Sequence, residues 1–366
     1  MTTGQVPELE PATDRSRPTV SIALATFNGL KFIEAQLESL LRQTHLPIEI
    51  LISDDCSNDG TYELLESLAV RSPVPIKLHR NETRLGWRKN FLETMSRCSG
   101  ELIAFCDQDD IWQSNKLEVM CDVFTSDELV MAFHNAMMVD QSGVALRSLG
   151  KPPTSGTAVH GPLSLDFWTP ILGFTIVFRR DILRFSKFWG QSIDKLKPGE
   201  NAPHDEWVFF IASVLGNIAY VDQHLVNYRL HGGNTVGFRS TRKTLSDHIA
   251  VYRGSGEKLL QRIRVVKNRL DVLSIVSEEL DRKEFGIALA AYRAHLGVNE
   301  RRLKLYQSTT MAARLQQYLK MLASGDYTSS RLPLGRGEKF RDLAVAVLGV
   351  KGLHTPSLVV PPTGTL

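Results

Sequence analysis

Continuous apolar runs that end in polar clusters set the rhythm of the first hundred or so residues. Val20 to Thr26, VSIALAT, is uninterrupted and β-rich, the pattern of a strand covered on both faces, and it closes in Phe27-Asn28-Gly29. The stretch that follows puts Leu30, Ile33, Leu37, Leu40 and Leu41 at helical spacing. A second run, Ile48 to Asp55, gives way to Cys56-Ser57-Asn58-Asp59-Gly60, a turn cluster that offers N-caps for a helix over TYELLESLAV. IKLHR, a helix near Trp87 to Arg97 and the strand ELIAFCD continue the alternation, which predicts a parallel sheet with helices on both faces. Ligands of such sheets bind at the carboxyl ends of the strands, and Phe27-Asn28, Asp54-Asp55 and Asp107-Gln108-Asp109-Asp110 all fall there.

Past Leu117 the pattern changes. Leu129 to Val139 and Gly143 to Leu149 read as strands, Gly150 to Gly161 as a loop, and Gly173 to Phe178 as a short strand before a helix that starts at Arg179-Arg180-Asp181. A helix is expected from Asp205 to Leu215, then two strands, NIAYVD and HLVNYRLH. Beyond Gly237 the pattern is helical, with one region from about Thr244 to Met321 and another near Glu338 to Leu348. Residues 1–18 are polar with no apolar core, so they read as a disordered lead rather than a signal peptide. No apolar stretch approaches the ~20 residues that cross a bilayer, which points to a cytoplasmic protein.

Composition adds an asymmetry. The net charge is only +3, but from Arg239 onward there are 22 Lys+Arg against 11 Asp+Glu, compared with 21 and 29 before it. A basic back half suits anionic lipid, a phosphorylated acceptor, nucleic acid or none of these. Nucleic acid is disfavoured because acids are interspersed and no stacking-aromatic pattern accompanies the bases. Cys56, Cys98, Cys106 and Cys121 show no zinc spacing and read as buried thiols.

The acidic burst after ELIAFCD carries the chemistry. Asp107 and Asp109, at i and i+2 beyond a strand, can converge on one hard divalent cation that in turn grips a diphosphate. Taken alone, such a pair reads at least as well as a helix-capping feature, with Asp109 or Asp110 capping the following helix. Asp205 likewise reads as a first-turn acid that the helix dipole stabilises.

The ordered series SIALATFNG, LLRQTH, EILISDDCSNDGT, NETRLGWRKNF, GELIAFCDQDDIW and HDEW resembles the family 2 glycosyltransferases, from about Thr19 to Gly237. Within that family, DQDDIW, HDEW and YRLHGGNTVG resemble the rhamnosyltransferase-type members that build bacterial surface polysaccharides. The resemblance implies an α/β fold, the Rossmann-like, mixed but mostly parallel sheet of the A-type glycosyltransferases, followed by a helical C-terminal region. It implies a catalytic domain over 19–238, with a nucleotide half 19–125 and an acceptor half 126–238, and a basic helical region over 239–366. Ala25, Phe27, Asn28, Asp55, Arg84, Lys89, Asn90, Asp107 and Gln108 are the implied nucleotide-sugar contacts, with Phe27 offering a stacking face. Asp109 is the implied ligand of Mg²⁺ or Mn²⁺, and His231 reads as a further ligand, as a donor to the diphosphate or as part of a plain tight turn. Asp205 is the implied general base of an inverting transfer, with Glu206 as its rival. Trp112 and Trp168 read either as lining the sugar and acceptor clefts or, as large aromatics more often are, as core or rim, and His204 stands at the same cleft.

The implied donor is a dTDP- or UDP-sugar, with rhamnose the first choice of sugar, and the acceptor is a saccharide or lipid-linked saccharide. A catalytically silent sugar-nucleotide-binding or scaffold protein of the same fold is the competing reading. KFRDLAVAVLGV is too short to span a bilayer but able to lie on its inner face, and packing against a second subunit explains the same periodicity.

Overall fold

The computed structural model describes residues 17–150, 156–197, 199–232, 255–334 and 337–349. It divides into two compact units, Met1–Arg239 with Val272–Ala288, and Ser240–Asp271 with Leu289–Leu366.

The first unit is built on one ten-stranded sheet. Its elements run β1 (Val20–Thr26), α1 (Ile33–Leu41), β2 (Glu49–Asp54), α2 (Thr61–Ala69), β3 (Ile76–Arg80), α3 (Trp87–Ser96), β4 (Leu102–Asp107), β5 (Ile111–Trp112) and α4 (Lys116–Asp122). There follow β6 (Leu129–Val139), β7 (Ala145–Ser148), β8 (Thr157–His160), β9 (Ile176–Arg179), a 3-10 helix over Arg180–Gln191, α5 (His204–Leu215) and β10 (Asn217–Arg229). The order across the sheet is β3-β2-β1-β4-β9-β6-β10-β5, with β7 on β6 and β8 on β10. β3-β2-β1-β4 and β6-β10 pair in parallel, and the shorter ladders are antiparallel. The expected Rossmann-like α/β architecture with a mixed sheet is therefore observed.

β1 and β2 are buried at every position, because helices cover both faces, and this is why their sequences show no alternation. β3, at the sheet edge, is mostly exposed.

Three local readings are corrected. NIAYVD and HLVNYRLH are one strand, β10: the exposed pair Gln223 and His224, which reads as a break, is absorbed by register shifts against β6 at Val221/His224 and His224/Asn227. Gly173–Thr175 is a 3-10 turn, and the strand begins only at Ile176. Part of the Gly150–Gly161 loop forms β8, which finds a ladder on β10. Three of the four cysteines are buried, Cys56 is half-buried, and none forms a disulfide.

The second unit is helical. Ser255–Glu279 and Lys283–Gln307 contribute their remaining turns to it, and Met311–Ala323 and Glu338–Leu348 pack against each other within it. Residues 239–254 of the expected helical region lie outside the described residues. The unit's apolar core includes Leu259, Leu305, Tyr318, Met321 and Val345. Beside that core Arg302 is buried: its guanidinium donates to both oxygens of Asp342, at 2.7 and 2.9 Å, and to Glu338. Tyr306 and Tyr327 also donate to Asp342, at 2.9 and 2.8 Å. Among the described residues no helix is long and apolar enough to cross a membrane.

Candidate active site

Parallel pairing brings the carboxyl ends of β1, β2 and β4 level, with Thr26 opposite Asp54 and Ala25 opposite Asp107. The residues just past those ends share one rim of the sheet. Gln108 clasps it: its Oε1 accepts from the Thr26 hydroxyl at 2.6 Å and the Phe27 N–H at 2.9 Å, and its Nε2 donates to the Phe27 carbonyl at 3.1 Å. A Cβ on Gly29 would stand 2.4 Å from the same Oε1, so the clasp requires glycine there. Asn28 is left-handed, φ 49°, with its N–H donating to Ser57 Oγ and its Oδ1 accepting from the Asn58 N–H. Gln108 and Asn28, expected to contact the donor, direct these groups to the rim itself.

Asp55 is buried and organises the loop between β3 and α3. Its Oδ1 accepts from Asn81 Nδ2 at 2.9 Å and the Leu85 N–H at 2.6 Å, and its Oδ2 accepts from the Gly86 N–H at 2.8 Å. A loop without a ladder needs such an acceptor for its backbone donors. Asn90 belongs to the same network: its Oδ1 accepts from Asn81 and its Nδ2 donates to the Ser53 carbonyl, each at 2.9 Å. Asn90, expected to contact ligand, thus has its buried amide engaged at both ends inside the protein. The loop carries Arg84 over Phe27, with the guanidinium carbon 3.8 Å from the ring centre. Lys89 is exposed on the same helix as Asn90.

At the end of β4 three carboxylates crowd together. Burial, followed by the charges of Asp109 and Asp205, pushes Asp107 up to about 8, while Lys116 acts in the opposite direction. Asp205 sits in the first turn of α5, so two remote segments of chain put their acids in one electrostatic neighbourhood. Asp109 Oδ2 lies 2.6 Å from His231 Nε2, and the His231 ring stacks on Phe32 with centres 4.7 Å apart. Asp110 is buried; its Oδ1 accepts from the Arg229 N–H at 3.1 Å, and its Oδ2 has no partner among the described residues. Burial and then the charges of Asp109 and Asp107 hold the Asp110 carboxyl well above the usual range.

Lys116 is 0% exposed, donates to the Phe174 carbonyl at 2.7 Å and has its ammonium 3.2 Å from the centre of the Trp112 ring. Burial lowers it to about 7, opposed by Cys106, Asp110 and Asp107. Trp112, expected in the sugar cleft, is 3% exposed in the core, where its ring faces that ammonium instead.

His204 is also displaced from its expected place in the cleft. It is buried, stacked on Phe91 at 3.8 Å between ring centres, with Phe105 and Trp87 edge-on. Neither ring nitrogen has a hydrogen-bond partner among the described residues. Burial, and then the charge of Arg88, takes the imidazole down to about 3, so it is neutral. A Cβ on Gly173 would lie 2.6 Å from His204 Nε2. Next along the helix, Asp205 Oδ1 accepts from the Glu206 N–H at 2.8 Å. Burial raises the Asp205 carboxyl, with that N–H and the charge of Lys195 opposing. Lys195 Nζ is 3.5 Å from Glu206 and 5.7 Å from the Trp168 ring centre, so Trp168, Lys195, Glu206 and Asp205 form one cluster.

Among the described residues no three His, Cys, Asp or Glu side chains converge as a ready metal cage. Asp109 with His231 offers a pair, and the crowded acids around it favour a cation. One bound there would complete its shell with water and phosphate oxygens. Sequence reasoning missed Lys116 and Lys195. The first leaves a trace, a lysine opening the helix directly after the acidic run; the second lies in a loop, SIDKLK, with no periodicity to mark it.

Residues 21–184 match the family model described as Glycosyl transferase family 2. The dTDP-rhamnosyl transferase RfbG of Shigella flexneri is 26% identical over 276 residues, 73% of this chain and 91% of that protein. The UDP-Glc:alpha-D-GlcNAc-diphosphoundecaprenol beta-1,3-glucosyltransferase WfgD of Escherichia coli is 32% identical over 126 residues, 34% of this chain and 48% of that protein. The chain thus spans nearly all of one relative and about half of the other. A crystal structure of S. aureus TarS 1-349 in complex with UDP superposes with a TM-score of 0.49 at 16% identity, covering 85% of this chain and 93% of that one.

Proposed function

We infer that this chain, which carries a glycosyl transferase family 2 domain over residues 21–184, moves a sugar from a nucleotide-diphospho-sugar to a hydroxyl of a saccharide or lipid-linked acceptor with inversion. The observation that carries this reading is that the start of α5 lies against β4, with His204 edge-on to Phe105 at 4.7 Å between ring centres, so that the charge of Asp205 acts on Asp107, the neighbour of Asp109 in the acidic run.

In the proposed reaction the nucleotide lies along the rim past β1 and β2, its base against Phe27. Asp205 takes the proton of the acceptor hydroxyl while the acceptor oxygen bonds to the anomeric carbon, and the bond from that carbon to the diphosphate breaks on the opposite face. A carboxyl raised above its ordinary range by burial, as Asp205 is, makes a stronger base than an exposed aspartate. A Mg²⁺ or Mn²⁺ ion held by Asp109 and His231 would neutralise charge on the departing diphosphate. Glu206, engaged by Lys195, is the weaker choice of base. RfbG is named a dTDP-rhamnosyl transferase, and this supports dTDP-rhamnose as the first donor to try, with UDP-sugars second. The reaction would take place at the cytoplasmic face of the cell membrane, where a lipid-linked acceptor is presented.

Asp205→Asn is the decisive variant. Transfer should fall by about 10²- to 10⁴-fold, while the rise in Tm on adding nucleotide sugar with Mg²⁺ should persist. Undiminished transfer sinks the assignment of the base. If no nucleotide sugar yields product or raises Tm, the protein is not a transferase of this class.

A further inference from the structure

Within the helical unit, the helix Glu338–Leu348 buries only one of its faces. Asp342, Val345 and Ala346 point inward, while Phe340, Leu343, Val347 and Leu348 are exposed, Phe340 at 74% and Leu348 at 73%. At 3.6 residues per turn the exposed four lie on one side of the helix, and Lys339 and Arg341 flank Phe340 about a quarter-turn to either side. Bulky apolar side chains between basic flanks are the signature of a helix lying in the plane of a bilayer interface. The neighbouring helix Met311–Ala323 also turns an apolar residue outward beside a base, at Leu319 and Lys320.

Charge selects the occupant. Residues 289–366 hold 11 Lys+Arg against 4 Asp+Glu. Three of those acids are turned inward and paired, Asp326 with Arg301 and Glu338 and Asp342 with Arg302, leaving Glu300 as the exposed one. Arg293, Lys304, Lys320, Arg331 and Lys339 are exposed. A second copy of the chain would bring the same positive surface to the contact, whereas an anionic leaflet complements it.

We propose that the exposed face of Glu338–Leu348 docks on an anionic lipid bilayer, with Phe340, Leu343 and Val347 entering the interface and the exposed Lys339 meeting the headgroups, while Arg341 on the other flank is paired with Glu338 at 2.6 Å. The need for a membrane address rests on the lipid-linked acceptor proposed above; the surface itself does not.

The test is co-sedimentation of the full chain with vesicles of phosphatidylglycerol mixed with phosphatidylcholine, and with vesicles of phosphatidylcholine alone. Binding should favour the anionic vesicles and weaken with salt. Phe340→Ser with Leu343→Ser should reduce binding by at least about tenfold, since both side chains leave the apolar phase. Lys339→Gln should reduce it by about fivefold at low salt only. Both sites are exposed, so unchanged Tm and circular dichroism are expected to accompany the loss. Absence of vesicle binding, or binding that both variants leave intact, overturns the proposal. So does a change in self-association, read by analytical ultracentrifugation, without a change in vesicle binding. Nucleotide-sugar thermal shifts on the same samples separate the two readings: a shift without vesicle binding sinks the docking surface alone, and vesicle binding without a shift supports the surface while counting against the transferase.

Discussion

Asp107 illustrates what single residues contribute and what they conceal. Its place beyond an apolar strand is legible in the sequence, but its proton affinity depends on Asp205 and Lys116, which only folding brings near. The folded carboxyl keeps its proton to about 8, whereas an unfolded aspartate releases it near about 4. Across that window the folded state binds more protons than the unfolded one, so stability should fall as pH rises. Lys116, lowered to about 7, adds a slope of opposite sign only above that value. Asp107→Asn should therefore show a shallower decline of Tm from acidic to neutral pH than the parent; parallel profiles would mean that Asp107 titrates as an ordinary carboxylate. A second prediction concerns Gly173. Alanine there meets His204 Nε2 at 2.6 Å, and the aromatic rings around His204 leave it nowhere to retreat. Gly173→Ala should destabilise by about 1–3 kcal/mol, as overpacking does, and lower transfer through the displaced neighbour Asp205; wild-type denaturation and rate would show that the imidazole can shift. His204 could be read as a cleft residue because sequence shows residue type but not that three aromatic rings enclose it.

Elements were legible where burial was uniform and opaque where pairing decided. β1, β2 and β4 announce themselves because both faces are covered. β10 does not, since Gln223 and His224 look like a terminus until β6 supplies a partner that tolerates the irregular register. The β3–α3 loop belongs to the opaque class as well: nothing in NETRLG declares that Asp55 gathers the N–H groups of Leu85 and Gly86. Replacing Asp55 by Asn would turn an amide donor towards one of those N–H groups and weaken the charge-assisted bond to the other. Asp55→Asn should lose about 1–3 kcal/mol, and amide hydrogen exchange should quicken at Leu85 and Gly86 ahead of the sheet. Uniform exchange across loop and strands would assign the loop's order to other contacts.

For the whole molecule, composition signalled a basic second half but not its internal arrangement. The excess is one of numbers, 22 Lys+Arg against 11 Asp+Glu from Arg239 onward, but three of those acids are turned inward, around Arg302 and Arg301, and so are withdrawn from the surface. Arg302→Leu leaves Asp342 buried with no opposite charge bonded to it and should destabilise the protein by about 3–5 kcal/mol; adding Asp342→Leu should recover much of that loss. Denaturant titrations compare the two, and a double variant no better than the single would show that Tyr306 and Tyr327 depend on the carboxylate for their own placement.

The guanidinium of Arg84 already covers one side of Phe27. A newcomer that seeks that side of the ring must either evict the arginine or accept it as the middle slice of a three-layer sandwich. Eviction makes arrival a two-step event whose slow phase Arg84→Ala would erase, whereas a sandwich would turn the same arginine into a contact whose removal loosens the guest.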